Sequence, residues 1–256
     1  MMTNTKSNRM VVISDIHIGN PFSKCRKDVL EFILWAAENQ YDICINGDGL
    51  DIAQSSFGDL AIEMPEVFHT LKEVQKKNIN LFYIVGNHDI ALEHFLEDWG
   101  ALKVCPFLNL DSNNKRIRIE HGHLYDPFFV RFPNLYEVAT RLAGVLLAIH
   151  PDLYKLWIKI EHLQSVFRRK TTGIIGEPQE FEDSAIELTR RGFDAVIFGH
   201  THYKGLVELP ENKQYFNSGS WLVENVYIEI LDGNLTLKKW CLGRDSNSHM
   251  IAHGGF

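Results

Sequence analysis

The chain has little of what disulfide-held, membrane-spanning or nucleic-acid-coating proteins are built from. It contains four cysteines in 256 residues, Cys25, Cys44, Cys105 and Cys241. None stands in a CxxC pair and they are widely scattered, so the expectation is reduced thiols and neither a disulfide framework nor a structural zinc site. No stretch reaches the roughly 18 uncharged apolar residues of a membrane span. The longest apolar run, Leu142 to Ile149, stops at His150-Pro151-Asp152. The opening MMTNTKSNRM is polar and lacks the apolar run of a secretory signal. The expectation is a cytoplasmic location, with peripheral contact at the inner membrane left open. Positive charge is also short: 26 Lys and Arg against 33 Asp and Glu give a formal charge of −7. That balance gives no sign of a nucleic-acid-binding surface, and no nucleic acid is expected as a partner. There is no internal repeat and no low-complexity segment. What remains is ordinary for a globular protein, 45% apolar and 23% charged, and long enough for an enzymatic core.

Along the first half, short apolar runs alternate with helical patterns. Met10 to Ser14, Tyr41 to Asn46 and Asn80 to Val85 read as buried strands. Val29 to Ala37 has helical spacing, and Val67, Leu71 and Val74 mark one helix face. Strand, helix, strand, helix, strand predicts an α/β core. Further strands are predicted at Arg116 to Glu120 and Ala195 to Phe198, then at Gly205 to Leu209, Gln214 to Asn217, Val226 to Leu231 and Leu235 to Trp240. Asp232-Gly233 marks a hairpin turn between the last two. The tail from Arg244 to Phe256 reads as loose. Between about 124 and 181 lies a long insertion. Leu135, Val138, Leu142, Val145 and Ile149 recur at helical spacing, as do Leu153, Leu156, Ile160, Leu163 and Phe167. Pro151 separates the two sets, which predicts a helical cap on a single domain spanning 1–256.

Five polar stretches stand just after predicted strands: SDIHIG, NGDGLD, GNHD, HGH and GHTH. Loops at the carboxyl ends of strands are where α/β sheets place their ligands. The donors on offer are Asp15 and His17, Asp48, Asn87, His121, and His200 with His202. Mixed carboxylate, amide and imidazole donors suit Mn, Fe, Zn or Co, and the inventory supplies ligands for two such ions with one bridging carboxylate. Two divalent metal ions are therefore expected, Mn first among the candidates. Any one stretch alone would read as a polar turn or surface patch. Their repetition at strand ends is not something a core needs for packing.

These stretches resemble the motifs of the calcineurin-like metallophosphoesterase family. D-x-H, G-D, G-N-H-D, H-G-H and G-H-T-H occur in that family's order between about Ile13 and His202. The resemblance implies a four-layer αββα sandwich with an inserted helical cap. It also implies that Asp15, His17 and His202 hold one metal and Asn87, His121 and His200 the other, with Asp48 bridging. Hydrolysis would then proceed by in-line attack of a hydroxide shared by the two ions. His88 is the expected catalytic residue, touching the phosphate or protonating the leaving oxygen, with Asp89 to orient it. His123 is expected behind the ligands or facing substrate, and Asp51 as a helix cap.

Within the family the chain looks most like the UDP-2,3-diacylglucosamine pyrophosphatase group. The helical insertion, Asn217-Ser218-Gly219-Ser220-Trp221 soon after GHTH, and the overall length carry that likeness. A lipid-linked substrate would need an apolar groove, for which Phe128, Phe129, Phe132 and Trp157 are candidates; packing of the cap is the alternative use for them. Arg168-Arg169-Lys170 could meet anionic phosphates or a membrane surface, or end a solvated helix. That group carries GNRD and HGD where this chain has GNHD and HGH. The expected partner is thus a phosphoester substrate, small or lipid-linked. A general phosphodiesterase or phosphatase is the alternative, and a non-catalytic metal-binding scaffold a third reading.

Overall fold

The computed structural model describes residues 3–20, 25–52, 57–95, 102–132, 135, 138 and 174–241. In chain order the strands are β1 (Thr3–Lys6), β2 (Arg9–Ile13), β3 (Asp42–Asn46), β4 (Leu81–Ile84), β5 (Lys103–Cys105), β6 (Leu108–Ser112), β7 (Lys115–Ile119), β8 (Ala195–Phe198), β9 (Lys204–Leu209), β10 (Lys213–Ser218), β11 (Val226–Leu231) and β12 (Asn234–Lys239). The helices are α1 (Arg26–Glu38), α2 (Phe57–Lys76), the short α3 (Pro127–Arg131) and α4 (Gln179–Arg190). Most of the expected cap, 139–173, lies outside the described residues, as do Arg168-Arg169-Lys170, Trp157 and the tail from Arg244.

The strands form two six-stranded sheets, ordered β1-β6-β7-β8-β10-β9 and β12-β11-β2-β3-β4-β5. In the second sheet β2, β3 and β4 run parallel, joined by α1 and α2; in the first, β7 and β8 run parallel. Strand alternation explains how the sheets stack. Met10 and Val12 of β2 join Phe82, Ile117, Ile197, Phe216 and Ile228 in one buried cluster between the sheets. Val11 and Ile13 face the other way, into a cluster with Val29, Phe32 and Val74 of the helices. On the far side, Phe181, Ala185 and Leu188 of α4 pack on Val196, Phe198 and Tyr215. Both faces of β2, β3, β4 and β8 are covered, which is why these strands read as continuous apolar runs. The result is the αββα sandwich expected from the motifs.

Two kinds of element escaped the sequence pattern. β1 and β5 are short, and β1 is a polar edge strand, TNTK, paired with β6, itself the mixed stretch LNLDS. α4, QEFEDSAIELTR, buries only a narrow stripe of an otherwise charged helix. None of the four cysteines is in a disulfide, and Cys25, Cys44 and Cys105 are buried. No described helix is long and apolar enough to cross a membrane.

Ile228 is fully buried between the sheets. Ile228→Ala should cost about 2–5 kcal/mol. This would appear as a lower urea midpoint with an unchanged slope.

Candidate metal centre

The carboxyl ends of five parallel strands converge on one rim. Asp15 and His17 follow β2, Asp48 follows β3, Asn87 and His88 follow β4, His121 follows β7 and His200 follows β8. Because β2, β3 and β4 lie in one sheet and β7 and β8 in the other, the site straddles both. Hydrogen bonds pin the loops: Asp15 N–H donates to Gly47 O at 3.1 Å, His17 N–H to Asp48 O at 2.9 Å, and Gly199 N–H to His121 O at 3.0 Å. Five of the seven expected ligands sit in the left-handed region, with φ of 52° at Asp15, 52° at His17, 50° at Asp48, 66° at His200 and 60° at His202. Asp, Asn and His tolerate that region better than most side chains, yet it still stores strain of about 1–3 kcal/mol each, and such strain gathers at functional sites.

The seven residues come together in clusters. Donor atoms of Asp15, His17 and His202 lie within 4.8 Å of one another, and so do those of Asp48, His121 and His200. Asn87 Oδ1 stands 2.8 Å from His200 Nδ1 and 3.2 Å from His121 Nε2, which is itself 3.3 Å from Asp48 Oδ2. Two bonds of about 2.1 Å at right angles leave their ends about 3.0 Å apart, so these spacings match neighbouring donors on one ion.

The chemistry of the donor set fits cations. A neutral imidazole has one N–H and one lone pair. His121 faces oxygens from both nitrogens, Asn46 O at 2.9 Å from Nδ1 and Asn87 Oδ1 from Nε2 at 3.2 Å. His200 also faces oxygens from both, Asn87 Oδ1 from Nδ1 at 2.8 Å and Asp126 Oδ2 from Nε2 at 3.0 Å. In each ring one lone pair therefore confronts another unless a proton or a metal stands between them. Asp15 Oδ1 and both nitrogens of His17 are buried without a hydrogen bond. His17 Nε2 lies 3.9 Å from Asp48 Oδ2, too far for one. Burial pushes the Asp15 and Asp48 carboxyls up, but neighbouring imidazoles, His202 and His121 for the first, His121 and His88 for the second, pull both below the usual range. Conversely, burial pushes the His121 imidazole down, but Asp48 and Asp15 raise it to about 10. Two buried carboxylates that draw protons onto their neighbours are two carboxylates short of cations.

A family model for calcineurin-like phosphoesterases matches residues 9–204. The chain belongs to the calcineurin-like phosphoesterase family. A curated relative, UDP-2,3-diacylglucosamine hydrolase of Porphyromonas gingivalis (strain ATCC BAA-308 / W83), is 22% identical over 179 residues, 60% of this chain and 66% of that protein. Thus the chain covers just under two thirds of that relative's length. Similar solved structures include a dimetal phosphatase from Danio rerio, 9% identical with a TM-score of 0.47, covering 90% of this chain and 95% of that one. Vacuolar Protein Sorting 29 from Cryptosporidium parvum is 14% identical with a TM-score of 0.45, covering 93% and 95%.

The structure reassigns two carboxylates around this phosphoesterase centre. Asp51, expected as a helix cap, is fully buried, accepts from Asn20 Nδ2 at 2.7 Å and stands 3.0 Å from His88 Nδ1. Asp89 does not orient His88. Its carboxylate instead takes Gly86 N–H at 2.6 Å, Gly49 N–H at 3.0 Å and the Tyr83 hydroxyl, tying the GNHD loop to the NGDGLD loop. Burial pushes the His88 imidazole down, but Asp48 and Asp51 raise it to about 9. His123 is buried with neither nitrogen bonded; burial and the charges on His121 and His200 drop it to about 3, so it stays neutral behind the ligands.

Two positions missed from the sequence support the rim. Asp126 Oδ2 meets His200 Nε2, as above. Glu177 is buried, accepting from Tyr215 OH at 2.5 Å, Thr201 Oγ1 at 2.9 Å and Asn217 Nδ2 at 2.9 Å. It thereby holds the GHTH loop from beneath. The Asn217-Ser218-Gly219-Ser220-Trp221 stretch is part of the same underpinning. Ser218 Oγ lies 2.7 Å from Ser14 Oγ, and Ser220 Oγ donates to Asp15 O at 3.2 Å.

A side chain on Gly86 would put Cβ 2.2 Å from Asp48 Oδ1. Gly86→Ala should therefore displace that carboxylate and weaken ion binding on the order of 10–100-fold, measured as bound metal at fixed free concentration. Burial raises Glu177 from 4.5 to about 7 despite its three donors. Below pH 4.5 the folded and unfolded chains both hold this proton. Between 4.5 and 7 only the folded chain does, so the group's contribution to stability falls as pH rises, by roughly 3 kcal/mol in all. Glu177→Gln should lose less stability than the parent between pH 5 and 7.5, and parallel curves from denaturant melts would refute this.

Proposed function

We propose that this chain is a dinuclear-metal phosphoester hydrolase. The observation that carries it is the donor set: seven side chains from five strand ends, two of whose imidazoles face oxygens from both nitrogens. Asp15, His17 and His202 would hold one ion and Asn87, His121 and His200 the other, with the Asp48 carboxylate between them. Bound there, the ions would supply Lewis acidity, a water of lowered pKa and neutralisation of phosphate oxygens, with Mn the first candidate.

The protein's own groups would do the rest. Asp48 Oδ1 accepts the His88 N–H at 2.8 Å, so the bridging carboxylate also sets where the catalytic loop sits. Asp51 holds His88 by Nδ1 at 3.0 Å, which leaves Nε2 to bind a phosphate oxygen or protonate the leaving group. No side chain is needed as a nucleophile.

A nucleotide-linked lipid is the favoured substrate class. The similarity to a UDP-2,3-diacylglucosamine hydrolase supports it. So does the exposed apolar surface beside Asp126, where Leu124, Phe128 and Phe132 are 63%, 47% and 46% exposed. Soluble proteins seldom leave such residues clustered in water without a use. A screen with Mn²⁺ over UDP-diacylglucosamine, bis-p-nitrophenyl phosphate and p-nitrophenyl phosphate tests this. Release of UMP from the first supports the lipid-linked reading. Turnover of the simple esters alone would leave a general phosphoesterase, and fewer than two ions bound at saturation would remove the hydrolase reading.

His88→Ala should keep both ions and lose about 10²–10⁴ in kcat. Asp48→Ala should lose ions and activity together. Loss of metal with preserved rate in His88→Ala would show that the role given to His88 is wrong.

A further inference from the structure

Asp126 opens α3, and its two carboxylate oxygens do different work. Oδ1 accepts the N–H groups of Phe128 at 2.8 Å and Phe129 at 3.4 Å, capping the helix, while Pro127 follows in the first helical position. Oδ2 stands 3.0 Å from His200 Nε2, across 74 residues of chain. A carboxylate can only accept, so the ring must donate from Nε2, which leaves the Nδ1 lone pair directed at Asn87 Oδ1, 2.8 Å away. That is the one tautomer in which His200 can bind an ion jointly with Asn87. The ring is held on a second side by Phe181, stacked at 6.2 Å with an interplanar angle of 17°. His121, the other imidazole of this cluster, is oriented by a backbone carbonyl, Asn46 O. Its support is thus part of the sheet, whereas that of His200 comes from the residue that caps the helix entering the insertion.

We infer that Asp126 is a positioning residue for the second ion, tying the docking of α3 to the orientation and tautomer of His200. The inference rests on the dinuclear reading above. Its physical content is that anything shifting α3, including a substrate settling on its exposed Phe128 and Phe132, moves the carboxylate behind a metal ligand. Partners of this kind raise the basicity of a ligating imidazole and fix its ring, and their loss typically costs about 10–100-fold in metal affinity.

Substitutions can separate the two jobs. Asp126→Ser keeps an oxygen able to cap α3 but is too short to reach His200. Asp126→Asn keeps the length and offers only a neutral amide. Mn²⁺ would be titrated calorimetrically into chelator-stripped full-length protein, and Co²⁺ visible spectra followed per equivalent. The first ion should bind as in the parent. The second should bind about 10–100-fold more weakly in Asp126→Ser and less weakly in Asp126→Asn, with the spectral change confined to the second equivalent. Parent-like affinities for both ions in both variants would overturn the inference. So would equal weakening of both ions together with a lower melting temperature, since that is what a purely structural role predicts. If the parent itself takes up fewer than two ions, the dinuclear reading falls first and this inference with it.

Discussion

Two carboxylates buried at the meeting of two sheets are the constraint from which much of this molecule follows. Asp15 and Asp48 are 0% and 2% exposed, and Asp51 and Asp89 beside them are both fully buried. Leaving such charges unpaired away from water costs several kcal/mol apiece. Asp89 and Asp51 are satisfied by the protein, through backbone N–H groups, a tyrosine hydroxyl, Asn20 and His88. Asp15 Oδ1 is not. The fold has collected imidazoles around the remainder, and their nitrogens in turn face oxygens. A centre of this composition favours positive charge inside it, and divalent ions would provide that charge without demanding that His121 and His200 be doubly protonated.

Geometry then dictates the backbone. Seven side chains must turn inward from five strand ends within a few residues, and five of these expected ligands adopt positive φ to do so. Gly47 and Gly86 serve the same closeness: a Cβ on Gly47 would stand 2.3 Å from the His121 ring. Since the ligands come from both sheets, the spacing of the sheets fixes the spacing of the donors. The Ser14–Ser218 contact and the Glu177 cluster fasten that seam immediately below the rim. The core between the sheets is therefore part of the metal site's precision, although none of its residues touches an ion.

The central strands and the gathering of the expected ligands at one rim were legible in the sequence for one shared reason. β2, β3, β4 and β8 are buried on both faces, β7 alternates Ile117 and Ile119 with Arg116 and Arg118, and each ends abruptly in polar residues. Ala195 to Phe198 was recovered with its observed ends, and Asp232-Gly233 turns as expected with φ of 48° and 76°. The supports were not legible, because their partners are remote. Asp51 read locally as a cap, yet its partner His88 lies 37 residues on; Glu177 meets Asn217 40 residues on, and Asp126 meets His200 74 residues on. Asp89 was assigned to the adjacent His88, whereas three-dimensional proximity gives it to Gly86, Gly49 and Tyr83. Edge strands such as TNTK carry no periodicity strong enough to reveal them.

The imidazoles of the rim differ in charge and role according to what stands behind each one. His88 has the Asp51 carboxylate on Nδ1 and is raised to about 9, despite burial that would lower it. His200 has Asp126 on Nε2, which commits Nδ1 to the side where Asn87 waits. His123, two residues from a ligand and equally buried, has no carboxylate and no bonded nitrogen, and falls to about 3. Three histidines within one small volume thus differ: one paired to a carboxylate, one an oriented lone-pair donor and one without a bonded nitrogen. The residue type is the same in each case, so sequence motifs alone cannot rank them. The acids that do so arrive from the end of the NGDGLD loop and the start of α3, and it is through those two segments that the protein can adjust the chemistry at the rim without altering a single ligand.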